Sequence, residues 1–150
     1  MSELKYVVFS LNKERFGLAI ETVERILPLQ SVTRLPRTPK VLLGVFDLRG
    51  DTLPALDGHL RFGLEPTPDA SNFIVVSTSY GRCGLKVDRV DGIFGFDEAN
   101  IEAPTHWLAD EAGTIAGVGK RNDELTLLLN TDAIVPKELR AKIGKVAAAA

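Results

Sequence analysis

The sequence predicts a mostly β fold, in which two small barrels of about five strands each pack side by side, with short helices and a C-terminal helix. Apolar segments of strand length alternate with turn residues, the pattern occurs twice, and a proline-rich segment separates the two copies. The chain has 150 residues, 45% of them apolar, which is enough for a core without metal or disulfide support. We expect one domain over 1–150, with subdomains at about 15–65 and 72–130 that the N-terminal strand and the C-terminal helix complete.

The first copy opens with a predicted hairpin. Lys5–Leu11 is rich in β-branched and aromatic residues, Asn12–Glu14 supplies a turn, and Arg15–Ile20 forms the returning strand. In Glu21–Leu27 the apolar residues follow at helical spacing, until Pro28 ends the pattern. We therefore predict a single short helical turn in this stretch.

Three further short strands are predicted before the copy ends. Val32–Leu35, Val41–Leu48 and Thr52–Leu56 are largely apolar and are bounded by prolines or turn residues. Arg49–Asp51 joins the last two strands, and Gly50 at its centre can adopt the positive φ of a tight turn. The second hairpin of this copy therefore places an arginine at its turn.

The second copy follows Glu65–Asp69, a linker in which two prolines exclude both a helix and a strand ladder. Strand patterns at 72–77 and 82–87 repeat the opening hairpin. Phe16–Ile26 aligns with Cys83–Ile93 at a constant offset of 67, with glycine over glycine and acid over acid.

Further along the chain the offset becomes 73, which places Gly44 over Gly117. We interpret the pattern as an internal duplication, and small closed barrels suit it because they leave few unpaired strand edges. A C-terminal helix is predicted from Thr131, with Leu139 and Ile143 four residues apart on one face.

The charges and the cysteine content indicate which kinds of partner the protein binds and where in the cell it acts. A net charge of -2 argues against nucleic-acid binding, and no segment approaches the roughly 20 apolar residues of a membrane span. Residues 25–49 carry five basic residues against one acid, whereas residues 87–111 carry seven acids against one arginine, so the surface has poles that can steer charged partners. The single cysteine, Cys83, leads us to expect a cytoplasmic protein.

The sequence offers little catalytic or metal-binding chemistry. His59 and His106 lie apart from each other and from Cys83, so neither an activated nucleophile nor a set of metal ligands is predicted. No glycine-rich nucleotide loop is present, and the acid pairs Asp97–Glu98 and Asp110–Glu111 lie in polar segments. We therefore expect no enzyme, no metal and no cofactor, but a protein that binds other proteins.

One set of motifs extends over nearly the whole chain. It comprises Phe9-x6-Phe16-Gly17-Leu18, Pro39-x4-Gly44-Val45-x2-Leu48-Arg49-Gly50-x2-Leu53-Pro54-x-Leu56-Asp57, Gly84-Leu85-x-Val87-Asp88-x-Val90, and Gly117-Val118 before Leu127-Leu128-Leu129. In this order and spacing the set resembles the CheW-like domain, the chemotaxis coupling protein family. The resemblance implies two five-stranded SH3-like β barrels around a shared core.

The resemblance also implies a function. Proteins of that family are adaptors without catalysis, which join the cytoplasmic hairpin tips of methyl-accepting chemotaxis receptors to the regulatory domain of the histidine kinase CheA. The receptor tip is expected in a groove between the barrels. The partner-binding residues that the resemblance implies here are Val23, Arg25, Gly44, Asp47, Leu48, Arg49, Gly50, Val87 and Val90. Two alternatives are a coupling-protein paralogue of a type IV pilus or other chemosensory pathway, and a small-barrel module that binds nucleic acid.

Structural roles are open for several of these residues. Arg49 could pair internally with a neighbouring acid such as Asp47, Val23 could serve the core alone, and Gly44 could simply permit close strand packing. Arg25 stands where the family often has an acid, and Asp47 stands where it usually has asparagine. These departures bear on the choice of partner, because a reversed charge repels one partner and attracts another.

Overall fold

The computed structural model describes residues 3–104 and 113–143. The predicted class is confirmed, since these residues form two β sheets with a few short helical turns. In chain order the strands and the helix are β1 (Glu3–Leu11), β2 (Glu14–Ala19), β3 (Val23–Pro28), β4 (Leu42–Leu48), β5 (Asp51–Asp57), α1 (Gly58–Arg61), β6 (Asn72–Thr78), β7 (Gly81–Val87), β8 (Arg89–Asp97), β9 (Ile101–Glu102), β10 (Ile115–Arg121) and β11 (Glu124–Leu129).

The two sheets divide the chain unequally. The five-stranded sheet has the order β3-β6-β7-β5-β4 and comes from the continuous segment 23–87. The six-stranded sheet has the order β8-β1-β2-β11-β10-β9 and comes from both ends of the described chain, 3–19 and 89–129. The predicted subdomain bounds of 15–65 and 72–130 are therefore not the bounds of the sheets. The reason is that each opening hairpin pairs with strands of the other copy: β1–β2 with β8 and β11, and β6–β7 with β3 and β5.

The internal duplication is visible in this pairing. β4 and β10 match over their full length at the offset of 73. Ala55 pairs in parallel with Gly84 in one sheet, and Leu128 pairs in parallel with Gly17 in the other, at matched positions of the two copies. A Cβ at Gly84 would lie 2.7 Å from the ring of Phe46, so glycine is required there for the ring to pack.

Two local predictions need correction. The helical turn predicted within Glu21–Leu27 is a 3₁₀ turn over Ile20–Thr22, and Val23–Pro28 is instead the strand β3, which contains a bulge between Val23 and Arg25. Because of the bulge, Val23 and Ile26, three residues apart, lie opposite Val76 and Ile74 of β6, two residues apart. The separation of three on β3 is the one expected for a helix. The predicted strand Val32–Leu35 is reduced to a single bridge between Thr33 and Val45.

The C-terminal helix is confirmed only in its last part. Residues 140–143 are helical, whereas Thr131–Ile134 and Lys137–Leu139 are two separate 3₁₀ turns. Pro136 lies between them and lacks the N–H that a continuous helix needs. Leu139 and Ile143 are both buried, as their spacing predicts.

The core lies in three layers. The largest cluster fills the space between the sheets and includes Phe9 of β1 and Leu85 of β7. A smaller cluster lies on the other face of each sheet, around Phe46 in the five-stranded sheet and around Phe96 in the six-stranded sheet. Each fully buried apolar side chain contributes about 1.5–3 kcal/mol, so the shared cluster holds the two sheets in a fixed relation.

Candidate functional site

The turn between β4 and β5 presents an arginine in an unfavourable backbone conformation. Leu48 pairs with Asp51, so Arg49 and Gly50 form a two-residue turn with φ of +52° and +92°. Glycine adopts such φ values freely, whereas an arginine there lowers the stability of the fold by about 1–2 kcal/mol. In the matched turn of the second copy, Asn122 has a similar φ of +51°, which asparagine tolerates well. An arginine kept at a strained, exposed position points to a role outside folding.

Arg49 makes no hydrogen bond or ion pair with the residues that the structure describes. The alternative in which it pairs with a neighbouring acid is therefore not realised in this part of the chain. Asp51 instead forms an ion pair with Arg82, in which Nη1 of Arg82 lies 3.1 Å from Oδ2 of Asp51. Asp47 is exposed and likewise has no partner among the described residues.

Arg82 forms a clamp that sequence reasoning missed. Its Nε and Nη2 donate to the two carboxylate oxygens of Glu24 at 2.8 and 2.6 Å, while its Nη1 donates to Asp51. The hydrogen bond to Glu24 is the main reason that the pKa of Arg82 is raised above its usual value. Because Glu24 lies between Val23 and Arg25, the clamp brings the start of β3 to the same end of the sheet as the Arg49 turn.

The same clamp recurs in the six-stranded sheet. Arg15, which matches Arg82 at the offset of 67, contacts both Asp91 and Glu124. Asp91 matches Glu24, and Glu124 matches Asp51 at the offset of 73. The signal that could have revealed both clamps is thus the charge identity of three aligned pairs.

Val23 and Val90 occupy matched positions on the edge strands β3 and β8. Both are half-buried and pack against the core cluster that the two sheets share. Three residues further along each strand, Ile26 and Ile93 are 41% and 59% exposed. Sequence reasoning missed these isoleucines, since β-strand isoleucine is usually buried. Each edge strand therefore carries a short apolar strip beside the shared core.

The remaining predicted residues divide between surface and scaffold. Arg25 is half-exposed on β3. Leu48 belongs to the smaller cluster around Phe46, and Val87 is fully buried in the shared cluster, so neither side chain is open to a partner in this structure. Gly44 has a φ of +146°, and a Cβ there would lie 2.1 Å from the carbonyl oxygen of Thr33. Its visible role is close backbone packing.

The histidine, aspartate and cysteine side chains away from this surface are buried or make contacts within the fold. His59 is 2% exposed, and its Nε2 lies 3.0 Å from Oδ1 of Asp88 at the crossover between the sheets. Asp88 also accepts the backbone N–H of Asn12 at 2.7 Å, so it ties α1 to the β1–β2 turn. Burial raises the pKa of Cys83 to about 12. Among residues 3–104 and 113–143, no cluster of three or more potential metal ligands occurs; His106 and the pair Asp110–Glu111 lie outside these ranges.

An exposed arginine without a partner among the described residues, apolar strips on two edge strands and a double-sheet core define a β-rich adaptor that binds other proteins through its surface. No helix in the described residues is long and apolar enough to cross a membrane.

Residues 5–139 match the model of the CheW-like domain, and the chain belongs to this family. It is a chemotaxis coupling adaptor. It is 29% identical over 137 residues to the chemotaxis protein CheW of Helicobacter pylori, a match that covers 90% of this chain and 83% of that protein. It is 32% identical over 137 residues to protein FrzA of Myxococcus xanthus, covering 85% and 82%. The crystal structure of the scaffolding protein TtCheW from Thermoanaerobacter tengcongensis superposes with a TM-score of 0.82 at 31% identity, over 90% of this chain and 94% of that chain.

Proposed function

We propose that this chain is a cytoplasmic, non-catalytic adaptor that joins the cytoplasmic hairpin tips of methyl-accepting chemotaxis receptors to the regulatory domain of the histidine kinase CheA. The observation that carries the proposal is the Arg49 turn, since its guanidinium is exposed, has no partner among the described residues and sits on a strained backbone. Family membership supports the choice of partners. The partner-binding roles of Val23, Arg25, Asp47, Arg49, Gly50 and Val90 belong to this proposal as well, with Gly44, Leu48 and Val87 as the scaffold behind them.

The chemistry of the turn suits a helical partner. The planar guanidinium of Arg49 can donate two parallel hydrogen bonds to a carboxylate, or to the free carbonyl groups where a helix ends. A helical hairpin tip supplies both kinds of acceptor. The strip of Val23 with Ile26, which starts at the same end of the sheet, provides apolar area that a bound partner would cover, and Val90 with Ile93 forms the matched strip on the other sheet. Arg25 adds a second cation on the Arg49 side and favours an acidic partner surface.

Substitution of Arg49 tests the proposal directly. Arg49→Asp reverses the charge in a turn where aspartate tolerates the backbone, so the variant is expected to fold at least as stably as the parent. Binding to a purified receptor hairpin should weaken by about 2 kcal/mol, roughly 30-fold in Kd. Lys40→Asp is the matched control, since Lys40 lies in the same basic segment, is exposed and has no partner among the described residues. Unchanged receptor and kinase binding by Arg49→Asp would contradict the site assignment.

The alternative is a coupling-protein paralogue of a type IV pilus or other chemosensory pathway. The chain is 32% identical to FrzA and 29% identical to the CheW of Helicobacter pylori, so percentage identity alone does not choose between pathways. Arg25 and Asp47 depart from the usual pattern at the proposed surface, which favours a dedicated partner. Co-purification with each CheA-type kinase of the same organism decides the matter, because the physiological kinase is retained and the others are not.

A further inference from the structure

A cleft of about 290 Å³ lies at the other end of the five-stranded sheet. It is lined by the segment after β3, the starts of β4 and β6 and the end of β7. Leu29, Val32, Leu43 and Phe73 give it apolar walls, and Arg34 and Lys86 lie at its rim. Leu43 and Arg49 are six residues apart along β4, so the cleft is about 20 Å from the Arg49 turn. The cleft is therefore separate from the surface in the proposed function.

The internal duplication shows why this cleft is open. Leu29 matches Phe96 at the offset of 67, and Phe96 is 1% exposed because its ring packs where the second copy has Gly119. In the five-stranded sheet the corresponding ring comes from Phe46, which stacks on Phe73 with 5.1 Å between the ring centroids. Leu29 is thereby released from the core and is 43% exposed. The first copy keeps an apolar side chain at a position that its own core does not use.

The cleft also has a charge that its counterpart lacks. Lys86 aligns with Ala19 of the first copy, so the six-stranded sheet has no cation at the matched position. Arg34 is exposed and Lys86 is half-buried, and neither makes a hydrogen bond or an ion pair with the described residues. Two unneutralised cations beside an apolar cleft are complementary to an apolar side chain flanked by carboxylates.

We propose that this cleft binds a short acidic peptide segment of a partner protein, which inserts one large apolar side chain between Leu29, Val32 and Leu43 and pairs its carboxylates with Arg34 and Lys86. Its volume of about 290 Å³ lies near the lower limit of roughly 300 Å³ for small-molecule pockets, which is room enough for one large side chain. A linear segment fits such a cleft, whereas a folded surface does not enter it.

The probe is a fluorescein-labelled peptide with the sequence of residues 95–100, in which phenylalanine precedes two acids. Fluorescence anisotropy with the full chain should show saturable binding. Lys86→Glu should weaken it at least ~10-fold, and the exposed Arg34→Glu gives the same readout if Lys86→Glu impairs folding. Lys40→Glu, outside the cleft but in the same basic segment, should change the affinity by no more than about twofold. Amide chemical-shift mapping should place the peptide at Leu29 and Leu43.

A second peptide, with alanine in place of the phenylalanine, separates the cleft from general charge attraction. It should bind at least ~10-fold more weakly than the first. Equal binding of both peptides, equal binding to the Arg34→Glu or Lys86→Glu variant, or no saturable binding overturns the proposal. Each of these results leaves the proposed function untouched, because the receptor-binding test depends on Arg49 and not on this cleft.

Discussion

Replacing Arg49 by asparagine should stabilise the protein while weakening its binding. Arg49 has a φ of +52° in the two-residue turn between β4 and β5, and the matched turn has Asn122 at +51°. Asparagine accepts this left-handed conformation, and asparagine before glycine is a favoured hairpin turn. Arg49→Asn should therefore recover about 1 kcal/mol of unfolding free energy. For a chain of this size, that raises Tm by about 2–4 °C.

Urea denaturation followed by circular dichroism measures the gain, and a pull-down with the receptor hairpin measures the loss. The reciprocal substitution Asn122→Arg is the control, since it puts arginine into the same backbone of the second copy and should lower stability by about 1 kcal/mol. If Asn122→Arg is destabilising and Arg49→Asn gains nothing, the strain at Arg49 is not real. If Arg49→Asn gains stability with full binding retained, the arginine has no role in the interface.

Three further predictions concern the scaffold. Gly44→Ala should unfold the chain or lower its stability by several kcal/mol, since the added Cβ would lie 2.1 Å from the carbonyl oxygen of Thr33; thermal unfolding measures this. Cys83, whose pKa burial raises to about 12, should not react with an aromatic disulfide reagent at about pH 8 until the chain is unfolded in urea. Hydrogen bonds from the Ser79 hydroxyl and N–H lower the pKa of Asp132 in the folded protein. The ionised carboxylate therefore stabilises the fold fully above its unfolded pKa near 4. This stabilisation is lost as the pH falls through the lower pKa of the folded state. Asp132→Asn should accordingly lose less stability than the parent in urea titrations between about pH 5 and 2.

Short-range features of the fold were predictable from the sequence. The opening hairpin, its repeat and the β4–β5 hairpin follow from alternating apolar residues and turn residues, which act between close neighbours in the chain. The exposed position of Arg49 follows from Gly50 for the same reason. The bulge between Val23 and Arg25 was not predictable in this way, because one extra residue in a strand changes the alternating pattern of apolar residues into a helical spacing.

Long-range features were not predictable. Which hairpin joins which sheet depends on pairings such as Phe16 with Leu127, more than a hundred residues apart, and alternation is equally satisfied by either partner. The Arg82 clamp was hidden because charged residues at strand ends look like ordinary solvated positions. Ile26 and Ile93 were hidden because exposure of an isoleucine depends on what the opposite sheet covers.

The construction of the six-stranded sheet from both ends of the chain has a consequence for biosynthesis. The β1–β2 hairpin is translated before segment 23–87, whereas β8 and β11, with which it pairs, are translated only after that segment. The five-stranded sheet can close while translation continues, since all its strands come from that segment. A nascent chain that stops before Glu124 has no β11, so β2 keeps an unpaired edge that can pair with another chain.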